Sequence, residues 1–219
     1  MKTAVIVFPA SNCDRDAEVA LRQVTGADPV RVWHAESELP DGLDLVVLPG
    51  GFAHGDYLRC GAIAARARIM GAVKARAEAG GPTLGICNGF QVLCEAGLLP
   101  GALMTNMNRH FISRDVTLRI DATDTPFTSG YARNAYVRFP VAHHDGNYQA
   151  EADELDRLEG EGRVALRYVE PINGAARNIA GLLSVDRRTL GLMPHPERAM
   201  NDDQDGRLFF ERMIAALAG

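Results

Sequence analysis

Apolar residues follow two rhythms along this chain. Thr3 to Phe8 (TAVIVF) is an unbroken, β-branched run, the pattern of a strand buried on both faces of a parallel sheet. Pro29 to His34 (PVRVWH), Leu43 to Leu48 (LDLVVL) and Pro82 to Ile86 read as the second, third and fourth strands. Helical spacing fills the intervals. A helix is predicted from about Arg15 to Val24, capped by Asn12 or Asp14 and closed by Gly26. A longer one is predicted from near Ala62, because Ile63, Ala67, Met70, Val73 and Ala77 make one apolar stripe and Gly80-Gly81-Pro82 stops it. Asn88 to Ala96, ended by Gly97, reads as a third helix.

Strand alternating with helix predicts α/β architecture: a doubly wound, mostly parallel open sheet flanked by helices and joined by right-handed crossovers. The second half is richer in strands: DVTLRI, YVRFPVAHH, RVALRYV, GLLSV and TLGLM. Gly160-Glu161-Gly162 marks a turn between a short helix and a strand. A last helix is expected over Arg207 to Ala218, with Phe209, Met213, Ala216 and Leu217 on one side. With no repeat and no low-complexity linker, one domain over residues 1–219 is the expectation.

Composition narrows the function classes. Net charge is −5 with no block of Lys and Arg, unlike the basic stripe of a nucleic-acid binder. No apolar run reaches transmembrane length, and MKTAVIVF reads as a first strand rather than a leader. A cytoplasmic protein is expected, with neither nucleic acid nor membrane as partner. Cys13, Cys60, Cys87 and Cys94 form no CxxC pair, so reduced thiols are expected, with Cys13, Cys60 and Cys94 as packing residues.

Cys87 is different. It sits in Gly85-Ile86-Cys87-Asn88-Gly89, after an apolar strand and before a helix, which is the cysteine form of a nucleophile elbow. Such a bend sets the side chain above the carboxyl ends of the strands, where open sheets place their ligands. The free N–H groups of the following helix favour a thiolate there. A cysteine nucleophile needs a base. His195 lies between Pro194 and Pro196 with Glu197 two residues on, so an extended His-x-Glu puts both side chains on one side, carboxylate orienting imidazole. Gly50 and Gly51, at the end of the third strand, permit a backbone N–H to approach a substrate carbonyl, and Asn88 offers another for an oxyanion. His143-His144-Asp145 tempts a metal reading, but adjacent side chains on an extended chain point opposite ways; no metal is expected, and the segment reads as a pocket or interface loop. From these residues alone, a Cys-elbow hydrolase or a thiol sensor remains an alternative, which the Pro-His-Pro-Glu element argues against.

PGGF, GICNGFQ and PHPER together resemble the class I glutamine amidotransferases. Within that family, PASNCDRDAEVAL, GGFAHGDYLRCGAIA, LGICNGFQVLCEAGLLPGAL and MPHPER are similar to the glutaminase subunits of phosphoribosylformylglycinamidine synthase, over nearly the whole chain. The resemblance implies a flavodoxin-like sheet and a Cys87-His195-Glu197 triad that hydrolyses glutamine. It implies oxyanion donors at Gly51 and Asn88, and Gln91 holding substrate. It implies two partners, a large synthetase subunit plus a small third subunit, with ATP and Mg on the synthetase and no cofactor in this chain. Ammonia would pass to formylglycinamide ribonucleotide in purine biosynthesis. Asp56, Tyr57, Leu58 and Arg59 are the candidate partner-facing segment. Ala10-Ser11-Asn12-Cys13, Phe52-Ala53-His54-Gly55-Asp56 and Ala142-His143-His144-Asp145-Gly146 depart from the family's usual loops. Other branches of the family, serving other acceptors, remain the alternative on the chemistry side.

Overall fold

The computed structural model describes residues 1–218. Strands β1 (Thr3–Val7), β2 (Val30–Trp33), β3 (Leu45–Leu48) and β4 (Thr83–Ile86) form where the apolar runs predict them. They are joined through α1 (Asp14–Thr25) and α2 (Met70–Glu78), and α3 (Asn88–Glu95) follows β4 at once. After these come β5 (Ala102–Met104), β6 (Ile112–Ile120), β7 (Tyr136–His143), β8 (Asn147–Gln149), α4 (Ala152–Gly160), β9 (Val164–Tyr168), β10 (Ile179–Leu183), β11 (Thr189–Leu192) and α5 (Asp205–Ala218).

Nine strands make one sheet in the order β2-β1-β3-β4-β11-β10-β9-β6-β7. From β2 through β11 every pairing is parallel; from β11 through β7 every pairing is antiparallel. β11 is the hinge of this pattern. It enters from the antiparallel half yet runs alongside β4, Gly191 opposite Gly85 and Leu192 opposite Ile86. The chain's last strand therefore ends beside the elbow. β1, β3, β4, β10 and β11 are buried along their whole length, as continuous apolar strands between two helical layers must be. β5 and β8 pair separately as a small antiparallel ribbon; at three residues each, they carry too little pattern to be read from the sequence.

Three expectations need correction. The long helix from Ala62 does not form. Ala64–Arg66 is a single 3-10 turn, Ala67 is extended at φ −60°, ψ 148°, and the regular helix begins only at Met70. Gly61 explains part of the break: at φ +80° it lies against the backbone of Gln91 and Val92, where a Cβ would come within 2.7 Å. α1 has no side-chain cap from Asn12 or Asp14; Cys13 holds the capping position. α5 buries Phe209, Phe210 and Met213 and leaves Ala216 in solvent, with Leu217 half-buried against the core; it packs on α1 and β7. There Phe209 packs edge-on against Phe139, ring centroids 5.7 Å apart.

Close packing at the centre depends on Gly191. A Cβ there would stand 2.2 Å from the ring of Phe90, the aromatic side chain that α3 buries against the sheet. Gly191→Ala is expected to cost about 1–3 kcal/mol by overpacking. In denaturant unfolding the midpoint falls while the slope is unchanged; an unshifted midpoint would show that α3 can slide away.

Candidate active site

The site is built where β1, β3, β4 and β11 end. Cys87 follows β4 with φ 50° and ψ −105°, a left-handed conformation that costs a non-glycine residue about 1–3 kcal/mol. Its backbone is held there from both sides. Its N–H donates to Leu192 O at 2.7 Å, and its carbonyl accepts from Phe90 and Gln91 to open α3. The flanking glycines are required by space. A Cβ on Gly85 would stand 2.7 Å from Gly89 O, and one on Gly89 only 2.0 Å from Leu48 O. The elbow is thus wedged against the end of β3, which is why a side chain with reactive sulfur can stand on so sharp a turn.

His195 lies three residues beyond β11, its N–H donating to Pro140 O of β7 at 2.8 Å. It is 1% exposed and Glu197 4%. The imidazole Nδ1 meets Glu197 Oε1 at 2.6 Å. The pair does not use the extended geometry read from the sequence: Pro196–Arg198 is a 3-10 turn, which folds Glu197 back onto the ring. Gly50 fits into the same corner. A single carbon added to it would lie 2.7 Å from His195 Cε1 and 3.4 Å from Cys87 Cβ, so imidazole and thiol share one wall. His195 Nε2 is buried and has no hydrogen-bond partner, while Cys87 Sγ faces the Ala142 carbonyl at 3.9 Å. Burial opposes an imidazolium, but the Glu197 carboxylate, and then the Cys87 sulfur, overcome it and hold His195 above the usual histidine range.

Gly51, at φ +126°, backs onto the Asn12 N–H, where a Cβ would come within 2.6 Å. It lines the pocket with Cys87, Gln91, Ala142 and His143. Asn88 acts as a tie. Its Oδ1 accepts from Ala53 N–H at 3.1 Å, and its Nδ2 donates to Gln91 Oε1 at 2.7 Å and to Asp56 at 3.1 Å. Gln91 in turn donates to Asp145 O at 2.7 Å. The cavity left between these walls is about 20 Å³, the space of one or two water molecules.

Several functional neighbours were not legible in the sequence. Cys60 is no simple packing residue; it lines the pocket and its thiol meets Asp145 Oδ2 at 3.5 Å. Cys13 stands behind the triad, with Arg198 Nη2 at 2.9 Å from its sulfur. His143 and His144 do point opposite ways, His143 buried and His144 exposed. Buried Asn106 fixes the inner one: its Oδ1 receives both Gly146 N–H and His143 Nδ1, at 3.0 and 3.1 Å. That sharing assigns the His143 proton to Nδ1. Burial, and then the neighbouring charge of His195, push its pKa down to about 4. An asparagine in a loop gives only a turn signal in one sequence, so Asn106 could not be singled out.

Comparison with known proteins places this geometry. Residues 1–208 match the CobB/CobQ-like glutamine amidotransferase domain. The chain belongs to the glutamine amidotransferase family. A relative from Zymomonas mobilis, phosphoribosylformylglycinamidine synthase subunit PurQ, is 59% identical over 100% of both chains. A protein of the same name from Cereibacter sphaeroides is 57% identical, covering 100% of this chain and 99% of its own. Among solved structures, PurLQS from Thermotoga maritima superposes with a TM-score of 0.89 at 42% identity, over 99% of this chain and 98% of that one. Another glutamine amidotransferase from Thermotoga maritima shares the fold at a TM-score of 0.61 and 15% identity, over 100% of this chain and 96% of that one. The doubly wound sheet read from the alternating runs is therefore an amidotransferase sheet. No helix among the described residues is long and apolar enough to cross a membrane.

The charge balance at His195 has a measurable sign. Its folded-state proton affinity exceeds the unfolded one, so the His195–Glu197 pair contributes fully below about pH 6.5 and loses that contribution as pH rises through the folded value. In Glu197→Gln, burial is left with less opposition and the imidazole's affinity drops. The stability gap between wild type and variant should be widest near about pH 6 and narrow toward about pH 9 in denaturant melts. A gap that is flat with pH would contradict the pairing.

Proposed function

We propose that this chain is the glutaminase subunit of a phosphoribosylformylglycinamidine synthase, with the whole chain acting as one amidotransferase domain. The observation that carries the reading is the buried Cys87–His195–Glu197 grouping at the rim of the sheet, in a chain 59% identical to a subunit of that name. Cys87 gives its thiol proton to His195 Nε2, and its sulfur attacks the carboxamide carbon of glutamine. The carbonyl electrons move to oxygen, received by the N–H groups of Gly51 and Asn88, each such donor being worth about 10²–10³ in rate. Gly50 keeps the imidazole and the nucleophile against one wall, and Gln91 holds the substrate.

Collapse of the tetrahedral intermediate expels ammonia, which takes its proton from His195 Nε2, leaving a glutamyl thioester on Cys87. His195 then accepts a proton from water, the hydroxide attacks the thioester, and glutamate leaves as the thiolate is restored. Glu197 keeps the proton of His195 on Nδ1 throughout, so the working nitrogen is always Nε2.

Ammonia passes to a large synthetase subunit, helped by a small third subunit, where ATP and Mg activate formylglycinamide ribonucleotide. This chain needs no cofactor or metal of its own, and works in the cytoplasm. Two features support a glutaminase that waits for its partner. The pocket at Cys87 is narrow, with room for only one or two waters between its walls, and Tyr57 and Leu58, beside the pocket residues Asp56 and Cys60, are 73% and 94% exposed. Docking on that segment would open the pocket, as lids do in other enzymes.

Two measurements on the assembled enzyme test the reading. Cys87→Ala should lose glutamine-dependent amidine formation by roughly 10³-fold or more while ammonia still supports it. Equal glutamine hydrolysis by wild type and Cys87→Ala would reject the proposal, as would no hydrolysis by wild type with the synthetase present. Nitrogen transfer to a different acceptor would move the chain to another branch of the family.

A further inference from the structure

We propose that His143 is a specificity-determining residue of the pocket, its free Nε2 accepting a hydrogen bond from the carboxamide N–H of glutamine and so telling the amide from the acid it becomes. The inference deepens the glutaminase reading above and rests on it.

Two buried imidazoles stand in this part of the fold, His195 at 1% and His143 at 3% exposed. Each is tied through Nδ1, and each has a buried Nε2 with no hydrogen-bond partner among the described residues. The partner at Nδ1 makes them unlike. His195 meets the carboxylate of Glu197, which holds its proton affinity up. His143 meets the side-chain oxygen of Asn106, which brings no charge. Asn106 has no nitrogen left to present there instead. Its Nδ2 donates to the carbonyls of His110 and His143, both at 2.9 Å. His143 therefore carries its proton on Nδ1 and a lone pair on Nε2. Burial and the neighbouring charge of His195 push its pKa down to about 4, so at neutral pH that lone pair stays free of a proton.

A buried acceptor without a donor is costly, and this one belongs to a ring that lines the pocket with Cys87. Gly146 lets the ring lie there, since a Cβ at that position would come within 2.3 Å of His143 Cε1. The neighbouring Ala142 carbonyl, 3.9 Å from Cys87 Sγ, is a second acceptor in the same lining. Such a lining suits a ligand that brings donors to the sulfur.

Glutamine does so. Its carboxamide nitrogen bears two N–H groups and adjoins the carbon that the sulfur attacks. The side-chain carboxylate of glutamate bears none, and its oxygens would face lone pairs. The same acceptors thus favour the substrate and disfavour the product. His143 is no base in this scheme, because it stays neutral. It holds an N–H of the departing nitrogen while His195 delivers the proton.

The experiment compares wild type and His143→Leu in the assembled enzyme on two substrates, glutamine and the γ-methyl ester of glutamate. The ester keeps the carbonyl and the ammonium group but has no side-chain N–H. His143→Leu should lower kcat/KM for glutamine roughly tenfold or more and leave that for the ester within about threefold. A parallel fall on both substrates would mark a merely structural ring, or a contact to the ammonium end, and overturns the proposal. Should the variant fail to fold, Cys87→Ala carrying isotope-labelled histidine decides in the same complex by NMR. Glutamine should move the His143 Nε2 resonance and the ester should not; no movement with glutamine, or equal movement with both, overturns the proposal. A wild type that hydrolyses neither substrate sinks the glutaminase reading, whereas one that hydrolyses both, with a ratio that His143→Leu leaves unchanged, sinks this inference alone.

Discussion

The conformation of one residue constrains the rest. Cys87 occupies φ 50°, ψ −105°, a state no isolated cysteine would choose, and it persists only because its surroundings over-determine it. β11 fixes the Cys87 N–H, α3 begins from its carbonyl, and the end of β3 closes on Gly89. The strain is therefore spread over three strands and a helix. From this follow the glycines on either side of the cysteine and the place of His195 beside it, just beyond β11. His195 can reach the sulfur because β11 runs parallel to β4 and ends beside it.

Charge is then confined to a place that burial would deny it. His195 and Glu197 together are nearly without solvent contact, and a buried ion pair is retained only when the partners serve each other closely. The short turn Pro196–Arg198 gives that closeness at 2.6 Å. The carboxylate's second oxygen, Oε2, is buried with no hydrogen-bond partner. The elbow after β4 and the turn after β11 thus meet at one place. Loss of either dissolves the grouping as well as the scaffold.

Legibility in the sequence followed local pattern strength. Apolar runs gave β1, β3 and β4 within a residue or two, because a strand buried on both faces has no other composition open to it; β2, with only Val32 buried, was legible from its β-branched residues. The elbow was legible from Gly85, Cys87 and Gly89 because sterics leave no substitute. The break at Ala67 was not. The stripe from Ile63 to Ala77 continues through it, and the tertiary contact of Gly61 with α3, which accounts for part of the break, has no local signature. His195 and Glu197 were found from residue type and spacing, though through an extended geometry that the 3-10 turn replaces. Cys13, Cys60, Asn106 and Asn173 carried no signal, since their roles arise from partners between 27 and 185 residues away.

The two walls of the pocket differ in kind, and that difference tells which one gives way. The wall at Ala142–Gly146 is pinned from within the fold. Asn106 holds His143 and Gly146, and Asn173 donates to Gly146 O at 2.7 Å. The wall at Phe52–Cys60 carries three non-glycine residues with positive φ, His54, Asp56 and Leu58. It exposes Phe52, Tyr57 and Leu58 and is tied inward through Pro9 O, the side chain of Asn88, and the carboxylates of Glu95 and Asp145. Releasing the first wall would strand buried amides without partners, at about 1–3 kcal/mol for each group. Releasing the second would break its ties to Pro9, Asn88, Glu95 and Asp145, but the strained backbone at His54, Asp56 and Leu58, about 1–3 kcal/mol for each residue, offsets part of that cost. The strain beside Cys87 therefore lies in the segment after β3, and that wall has less to lose by moving.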